Sequence, residues 1–370
     1  MRKVLLLSKS YYGQITGGAE YQQHIIAQEL VKRGYDVSYL FIDNGSFIRN
    51  SGNITLLPVR DKTLLRKFLG PYYFLELPKI YTILERIEPD VILARTGFSY
   101  IGAASRYCND KGCKLIWHVS SNNSVNSWSE KPGIPMLHKR PFYWIDRKLK
   151  SYGITRADKI ICQSEHQKVL LRENFGRVAD AIVPNFHPLP KDKIEKNLPI
   201  KIIWIANFKR IKQPDIFIRL AKHFSDQQNL RFQMVGRPSS GVNMEKYYKE
   251  IKKLPHLEYF GELTMNEVNR LLNSAHIFVN TSMFEGFPNT FIQAWMRRVP
   301  VVSLQVDPDN LLEKNTIGYR SGNFEKMIRD IGSLTEDMKL LEDMGKRAQQ
   351  FAFSNYTVEN NIDKILNLFS

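Results

Sequence analysis

The sequence has few cysteines and no long apolar run, and both shortages exclude classes of protein. The three cysteines, Cys108, Cys113 and Cys162, are an odd number without metal-ligand spacing, so we expect reduced thiols and neither a disulfide framework nor a zinc site. No apolar stretch approaches the roughly 20 residues that span a bilayer, and the apolar run near the N-terminus is too short for a signal peptide. We therefore expect a cytoplasmic protein that is soluble or peripheral on the inner face of the membrane.

Low-complexity tracts are also absent, as are the signatures of two common nucleotide-binding folds. With 43% apolar and 12% aromatic residues, the chain has the composition of an ordered globular protein. Its glycine-rich segment YYGQITGGAE fits neither GxGxxG nor the Walker phosphate loop, which weakens dinucleotide and P-loop hypotheses. At 370 residues, the chain is long enough for two domains of ordinary size.

Acidic residues are scarce relative to basic ones, and the imbalance is uneven along the chain. There are 53 Lys and Arg against 37 Asp and Glu, a net charge of +16. Residues 1–190 carry a net +11 and the remaining residues +5. A basic surface of this kind attracts anionic lipid, nucleic acid or a phosphorylated substrate. Alternatively, the charge only keeps the protein soluble, and net charge alone does not distinguish these functions.

Short β-rich runs alternate with longer segments of helical period, which is typical of βαβ units around parallel sheets. The Pro- and Lys-rich segment HPLPKDKIEKNLP breaks the pattern and indicates an interdomain linker. We predict an α/β fold with two doubly wound, Rossmann-like domains, residues 1–190 and 191–355, and a C-terminal helix in residues 356–370 that packs back on the N-terminal domain. Ligands of such sheets bind beyond the strand carboxyl ends, so a cleft between the domains is the expected site.

The first predicted strand-to-helix turn contains paired glycines. Gly17 and Gly18 precede the first helix, where residues without side chains let backbone N–H groups approach an anion. Glu20 follows them, as an acid favoured in a first helical turn or as part of a site. An ordinary βα turn is the alternative interpretation of the glycines.

A second strand-to-helix turn carries three cations. Lys209, Arg210 and Lys212 follow the predicted strand IKIIWIAN and precede a helix. Cations at a strand carboxyl end suit a diphosphate, because charge-assisted contacts are roughly twice as strong as neutral ones. Lys212 is the preferred phosphate ligand, and a solvated basic turn is the alternative.

A third segment, HIFVNTSMFEGFPNTFIQAWMRRVPVVSL, predicts a strand, a loop, a helix opened by Pro288 and another strand. Glu285 lies in the loop, where a carboxylate is placed to accept hydrogen bonds from sugar hydroxyls. Gln293 and Arg297 are four residues apart on one helical face. The Gln293 amide can donate or accept in the same place.

In order along the chain, these segments resemble the retaining glycosyltransferases of family 4. EGFPNTFIQAW resembles the family's E-x7-E signature, GGAE its glycine loop and IANFKRIK its phosphate-contacting turn, and AIVPNFHP and ADKIICQSEHQ also resemble family segments. The resemblance implies the GT-B fold, two Rossmann-like domains facing a central cleft. It implies hexosyl transfer with retention, without metal or cofactor, from a nucleotide-sugar donor, with UDP-sugar favoured over GDP-sugar. The implied acceptor is a glycan or lipid-linked oligosaccharide in bacterial surface polysaccharide synthesis, such as O-antigen, capsule or exopolysaccharide.

By position, the resemblance also gives roles to single residues. Glu285 contacts the donor sugar, Lys212 binds the diphosphate, and His118, which closes the strand KLIWHVSS, lies near the reacting centre unless it is purely structural. The implied donor-binding residues are Gly17, Gly18, Asn207, Lys209, Arg210, Lys212, Gly286, Phe287, Pro288, Asn289 and Gln293. Two positions depart from the family pattern: Gln293 replaces the second acid of the signature, and Asn207 replaces the arginine that usually precedes the lysine.

Basic and aromatic residues mix in two segments of the predicted first domain. The cations are Lys62, Arg66, Lys67, Lys139, Arg140, Arg147, Lys148 and Lys150, and the aromatic residues are Phe74, Phe142, Tyr143 and Trp144. Together they predict a surface for anionic lipid with interfacial aromatic rings. The alternative is that the aromatic rings belong to the core and the cations are solvated.

Other functions stay open at this point. An epimerase or phosphorylase of similar fold is disfavoured by the complete EGFPN segment, and a nucleic-acid-binding protein is suggested only by charge and lacks a recognition motif. A degenerate, inactive subunit is suggested by Gln293 and Asn207. The string Asp307-Pro308-Asp309 is similar to the DxD pattern that binds a divalent cation, but its context predicts a plain loop and no metal site.

Overall fold

The structure, a computed structural model, describes residues 1–14, 17–43, 52–60, 73–95, 99–126, 140–239 and 241–370. These residues form two compact units. The first consists of Met1–Pro184 and Asn361–Ser370, and the second of Asn185–Asn360. The last helix therefore begins in the second unit and ends in the first.

The first unit is built on one parallel sheet. Its strands are β1 (Lys3–Leu7), β2 (Asp36–Asp43), β3 (Thr55–Arg60), β4 (Val91–Ala94), β5 (Lys114–His118), β6 (Lys159–Cys162) and β7 (Ala181–Ile182), in the spatial order β3-β2-β1-β4-β5-β6-β7. The described helices between them are α1 (Gly18–Lys32), α2 (Leu77–Ile87), α3 (Tyr100–Lys111), α4 (Asn122–Val125), α5 (Arg140–Arg156) and α6 (Glu165–Phe175), with a 3-10 turn at Tyr73–Glu76. Because the pairing is parallel, the carboxyl ends of β1, β4 and β5 lie side by side.

A second parallel sheet forms the second unit. Its strands are β8 (Ile200–Ile205), β9 (Leu230–Val235), β10 (Leu257–Tyr259), β11 (Ile277–Asn280), β12 (Val301–Ser303) and β13 (Gly318–Arg320), in the order β10-β9-β8-β11-β12-β13. Its helices are α7 (Pro214–His223), α8 (Met244–Ile251), α9 (Met265–Ser274), α10 (Asn289–Trp295), α11 (Leu311–Lys314), α12 (Phe324–Glu336) and α13 (Met338–Asn355), with 3-10 turns at Arg210–Lys212 and Pro308–Asn310. The final helix is α14 (Val358–Leu366).

Strands buried on both faces explain why the sequence contains short, nearly continuous apolar runs. Every residue of β4 is buried, as are four of the five residues of β1, because helices cover parallel sheets on both sides. Trp117 lies in the core of the first unit, and Trp204 and Trp295 lie in the two apolar clusters of the second. The prediction of two Rossmann-like α/β domains is confirmed.

Helices α3 and α5 cross closely because each has a glycine at the contact. A Cβ atom on Gly102 would lie 2.5 Å from the carbonyl oxygen of Leu149, and one on Gly153 would lie 2.5 Å from the carbonyl carbon of Ile101. Two backbones approach this closely only where no side chain separates them. The crossing holds the C-terminal half of α5 against the first unit.

The prediction of three reduced cysteines is wrong for two of them. The structure joins Cys108 and Cys113 in a disulfide with Cα atoms 4.4 Å apart, and Cys162 is the free cysteine. The spacing of the two cysteines in the sequence does not indicate this pair. Helix α3 ends at Lys111, and the next residue, Gly112, has φ +74° and turns the chain back toward the last helical turn. Burial raises the pKa of the Cys162 thiol to about 12, so this cysteine is inert at neutral pH.

Candidate active site

The predicted phosphate-contacting turn leaves β8 at its carboxyl end and reaches α7 through the 3-10 turn. Asn207, at the start of this turn, is half-buried, whereas Lys209 and Arg210 are exposed. The Lys212 side chain is 22% exposed and points inward to a carboxylate. Of the three predicted cations, Lys212 is thus the one placed inside a site.

Backbone and hydroxyl hydrogen bonds join the Lys212 turn to the loop after β11. The Thr281 hydroxyl donates to the carbonyl oxygen of Lys212 at 2.6 Å and accepts from the Trp204 indole N–H at 2.9 Å. The Met283 N–H donates to the carbonyl oxygen of Ile211 at 2.9 Å. Strands β8 and β11 are parallel neighbours, so their carboxyl ends bring these two loops together.

Glu285 lies in the loop after β11, and the structure fixes both of its carboxylate oxygens. Oε2 is 2.7 Å from Lys212 Nζ. Oε1 accepts hydrogen bonds from Asn280 Nδ2 at 2.9 Å and from Ser282 Oγ at 2.7 Å. Two residues predicted from separate segments therefore form one ion pair, and the sequence prediction missed the two side chains that orient it.

Opposing effects act on the Glu285 carboxylate. Burial raises its pKa, but the charge of Lys212 and the hydrogen bonds from Lys212, Ser282 and Asn280 outweigh burial, so the pKa lies below its ordinary value. Glu285 is therefore ionised at neutral pH. Because both side chains are less than a quarter exposed, salt screens this pair less than a surface pair.

The lowered pKa of Glu285 predicts a stability difference that depends on pH. An unfolded glutamate titrates near pH 4.3, so the ion pair contributes fully above that pH and its contribution is lost as the pH falls through the lower folded pKa. We expect Glu285→Gln to have a lower Tm than wild type at pH 7, with a gap that narrows below about pH 4.3. A gap of constant size from pH 7 to pH 3 would show that the charge of Glu285 does not stabilise the fold.

The loop from Gly286 to Asn289 is held by two residues that sequence reasoning gave no role. The buried Asn185 side chain donates from Nδ2 to the carbonyl oxygen of Phe287 at 2.7 Å. His187 Nε2 lies 3.1 Å from Asn289 Oδ1, and burial lowers the pKa of His187 to about 3, so the ring is neutral. Asn185 and His187 belong to the segment AIVPNFHP, and these two residues thus support the predicted donor-binding loop.

Replacing Asn185 tests whether this support matters for turnover. We expect Asn185→Ala to lower kcat about tenfold or more, because the carbonyl of Phe287 loses its donor and the loop shifts relative to the substrate. Asn355→Ala is a control for the loss of an amide donor, since the exposed Asn355 also donates to a backbone carbonyl in this unit but lies on α13. Equal kcat for both variants, at equal Tm, would show that the hydrogen bond from Asn185 does not matter for turnover.

Gln293 lies on α10 with its amide turned toward α9. It is 2% exposed, and its Nε2 donates to Asn269 Oδ1 at 2.9 Å and contacts Met265 Sδ at 2.8 Å. Arg297 lies just past the end of α10 and donates from Nη1 to the carbonyl oxygen of Gln293. The amide hydrogens of this predicted donor-binding residue are therefore engaged by a neighbouring helix.

In the first unit, the glycine turn forms the start of α1 as predicted. Gly17 is the N-cap residue, α1 begins at Gly18, and the Tyr21 N–H donates to the carbonyl oxygen of Gly17. A Cβ atom on Gly17 would collide with the carboxylate of Glu20. Glu20 thus lies over the helix N-terminus, where its negative charge is favourable and where the sequence predicted a phosphate.

His118 is buried at the carboxyl end of β5, beside an arginine that the sequence prediction missed. Arg95 follows β4, is 3% exposed, and has Nη1 3.4 Å from His118 Nδ1. Burial, reinforced by the charge of Arg95, lowers the pKa of His118 well below its ordinary value, and burial lowers the pKa of Arg95 to about 10. At neutral pH the histidine is neutral and the arginine charged, so the His118 ring can form hydrogen bonds but carries no positive charge.

In the DxD-like string, the Asp307 carboxylate binds the backbone of the helix that follows, α11. Asp307 accepts a hydrogen bond from the Leu312 N–H at 3.0 Å through Oδ1, and Pro308–Asn310 is a 3-10 turn. Burial raises the pKa of Asp307. Among the described residues, no group of three or more His, Cys, Asp or Glu side chains is arranged to hold a metal ion.

Two families match this sequence. Residues 16–189 match the family described as Glycosyltransferase Family 4, and residues 199–337 match Glycosyl transferases group 1. Together the two ranges cover more than half of the chain.

Two relatives that resemble the chain in sequence over most of its length are named as glycosyltransferases, and a solved structure shares its fold. An uncharacterized glycosyltransferase of Haemophilus influenzae is 24% identical over 360 residues, covering 94% of this chain and 95% of the relative. The UDP-Gal:alpha-D-GlcNAc-diphosphoundecaprenol alpha-1,3-galactosyltransferase of Escherichia coli is 24% identical over 316 residues, covering 79% and 78%. The solved structure of Anabaena HepE in complex with UDP has a TM-score of 0.76 at 15% identity, covering 100% of this chain and 99% of HepE. The chain belongs to the family 4 glycosyltransferases and has the GT-B fold.

Proposed function

We propose that this chain is a retaining glycosyltransferase that moves a sugar from a nucleoside-diphosphate donor to a glycan or lipid-linked acceptor in bacterial surface polysaccharide assembly. The observation that carries the proposal is the Lys212–Glu285 pair at the carboxyl ends of two adjacent parallel strands. A cation beside a carboxylate is complementary to a nucleoside-diphosphate sugar, which has a diphosphate part and a sugar part. The diphosphate is anionic, and the sugar offers hydroxyl groups that donate to a carboxylate.

In the proposed reaction, the bond between the anomeric carbon and the diphosphate oxygen breaks, and the diphosphate leaves with the electron pair. Lys212 stabilises the charge that develops on the leaving group, a contribution of about 3 kcal/mol for a preorganised contact of this kind. The acceptor oxygen bonds to the anomeric carbon on the face that the diphosphate leaves, which retains the configuration, and its proton passes to the departing diphosphate. Neutral His118 enters this proposal as a hydrogen-bonding group, and neither a metal ion nor a cofactor is required.

The identity of donor and acceptor is proposed from chemistry and from named relatives. UDP is the favoured nucleotide because HepE was solved with it and the Escherichia coli relative is named for a UDP-sugar. That relative is also named for a diphosphoundecaprenol acceptor, and a phosphorylated lipid suits a chain whose residues 1–190 carry a net +11.

A thermal-shift panel tests the donor class. We expect one nucleoside diphosphate among UDP, GDP and ADP to raise the Tm selectively, because a ligand that binds the native state stabilises it by mass action. The shift should persist in EDTA, as a metal-independent site requires. An absence of any shift with these nucleotides and their sugar conjugates would contradict the proposal.

Product analysis tests the reaction. With donor and acceptor, NMR of the product should show the same anomeric configuration as in the donor, and an inverted product would overturn retention. With donor alone, the sugar should remain attached or be released only slowly. Rapid conversion of the donor to an epimer would assign the chain to epimerases instead.

A further inference from the structure

The N-terminal half of α5 presents an exposed face of mixed apolar and basic character. Pro141, Trp144, Ile145 and Lys148 follow the spacing i, i+3, i+4, i+7, which places them on one side of a helix. All four are exposed, with Trp144 at 55% and Ile145 at 42%. An amphipathic helix in a globular protein ordinarily turns such a stripe inward, so an outward stripe needs another explanation.

The opposite side of the same helix shows that this orientation is fixed by packing. Gly153 and Ile154 are buried, and Lys150 is 9% exposed with Nζ donating to the carbonyl oxygen of Ser124 at 2.8 Å. Lys150 was predicted to face lipid, and that prediction is wrong because its ammonium binds a backbone carbonyl inside the unit. Rolling α5 to bury Trp144 would expose this contact and the glycine crossing with α3.

Two aromatic rings of the predicted lipid surface contact one another. Phe74 and Phe142 stack with centroids 6.1 Å apart and an interplanar angle of 7°. Four of the predicted cations, Lys62, Arg66, Lys67 and Lys139, lie outside the described residues. The part of the predicted lipid surface that the structure describes therefore consists of the exposed stripe of α5 and the cations around it.

Charge around the stripe is positive. Arg140 and Lys148 are exposed, and the Arg147 guanidinium lies over the rings of Tyr143 at 4.8 Å and Trp144 at 5.9 Å from their centroids. Asp146 is the one acidic residue in the sequence of α5, and it accepts a hydrogen bond from Ser99 Oγ at 2.6 Å. Exposed cations beside exposed apolar side chains are complementary to an anionic interface.

We propose that this face of α5 docks on an anionic lipid bilayer, with Trp144 and Ile145 entering the interfacial region and Arg140 and Lys148 contacting lipid phosphates. Tryptophan favours the level of lipid headgroups, and each added cation strengthens binding to an acidic membrane surface. The proposed contact is a peripheral one. No helix in the described parts of the chain is long and apolar enough to cross a membrane. This inference does not depend on the donor or on the reaction.

Co-sedimentation of the full chain with vesicles tests the docking face. We expect binding to vesicles of phosphatidylcholine with phosphatidylglycerol and little binding to phosphatidylcholine alone, with affinity falling as salt rises. The double variant Trp144→Ser with Ile145→Ser should bind at least tenfold more weakly, and Lys148→Glu should also lose affinity. The matched controls are Phe353→Ser and Lys339→Glu, an exposed ring and an exposed cation on α13, which should bind as wild type.

Tryptophan fluorescence supplies a second readout that does not depend on sedimentation. Trp144 is the exposed tryptophan of the described chain, because Trp117, Trp204 and Trp295 are at most 2% exposed. With Trp128, which lies outside the described residues, replaced by Phe, brominated anionic lipid should quench the emission, and a further Trp144→Phe change should abolish the quenching.

Three results would overturn the proposal. They are equal vesicle binding by wild type and the double variant, an absence of binding to anionic vesicles, and self-association that the double variant abolishes while vesicle binding persists. A loss of binding confined to the α5 variants, with their Tm unchanged, would support it.

Discussion

Replacing Glu285 with glutamine is expected to lower kcat by about a hundredfold, while the protein stays folded. The Gln oxygen can still accept from Asn280 and Ser282, so the loop keeps its local hydrogen bonds. Its Nε2 group, however, donates where Oε2 accepted, and it faces the Lys212 ammonium. Loss of one preorganised charged contact costs about 3 kcal/mol in the transition state, which is the source of the hundredfold estimate.

The same substitution should destabilise the fold by about 1–2 kcal/mol, because it leaves Lys212 charged beside a neutral side chain in a partly buried place. Steady-state kinetics and thermal unfolding of the same preparation separate the two effects. Glu258→Gln is the control, since Glu258 is exposed on β10 in the same unit. A wild-type kcat in Glu285→Gln would show that the charge of this carboxylate has no role in turnover.

The second large effect is expected for Lys212→Met. Methionine keeps most of the side-chain length and removes the charge, so the diphosphate loses its charge-assisted contact in both the bound state and the transition state. We expect the Kd for the preferred nucleoside diphosphate to rise at least tenfold, the Kd for the corresponding nucleoside to stay unchanged, and kcat/KM to fall about a hundredfold. Calorimetry and kinetics measure these quantities.

Lys222→Met is the matched control, because Lys222 is an exposed lysine in the last turn of α7, the helix that the Lys212 turn precedes. A double variant, Lys212→Met with Glu285→Gln, adds a test of the pair. Its loss of unfolding free energy should be smaller than the sum of the single losses, since neither residue then lacks a partner charge. Strictly additive losses would show that the two side chains do not interact in solution.

That Lys212 and Glu285 lie at the same edge of a sheet could be predicted from sequence for a topological reason, whereas their ion pair was not predicted. Both residues follow predicted strands, and parallel strands direct their carboxyl ends to one edge of a sheet. The orienting residues were harder to predict, because Asn185 reaches Phe287 across a long stretch of sequence that no periodicity relates. Buried polar contacts of this kind follow from the packing of the folded chain.

Gln293 and Arg95 show two other limits of sequence reasoning. Helical spacing placed Gln293 on one face of α10, but it carried no information on α9, whose Asn269 accepts from that amide. Arg95 follows a short buried strand and looks like an ordinary surface cation in sequence, whereas the structure buries it beside His118. In both cases the deciding group comes from a different element.

A crystal structure of the chain with the nucleoside diphosphate that gives the largest thermal shift tests the central claim most directly. We expect a diphosphate oxygen within about 3 Å of Lys212 Nζ, at the carboxyl ends of β8 and β11, with Glu285 still held by Asn280 and Ser282. A diphosphate bound elsewhere, with the Lys212–Glu285 pair unchanged and out of its reach, would contradict it.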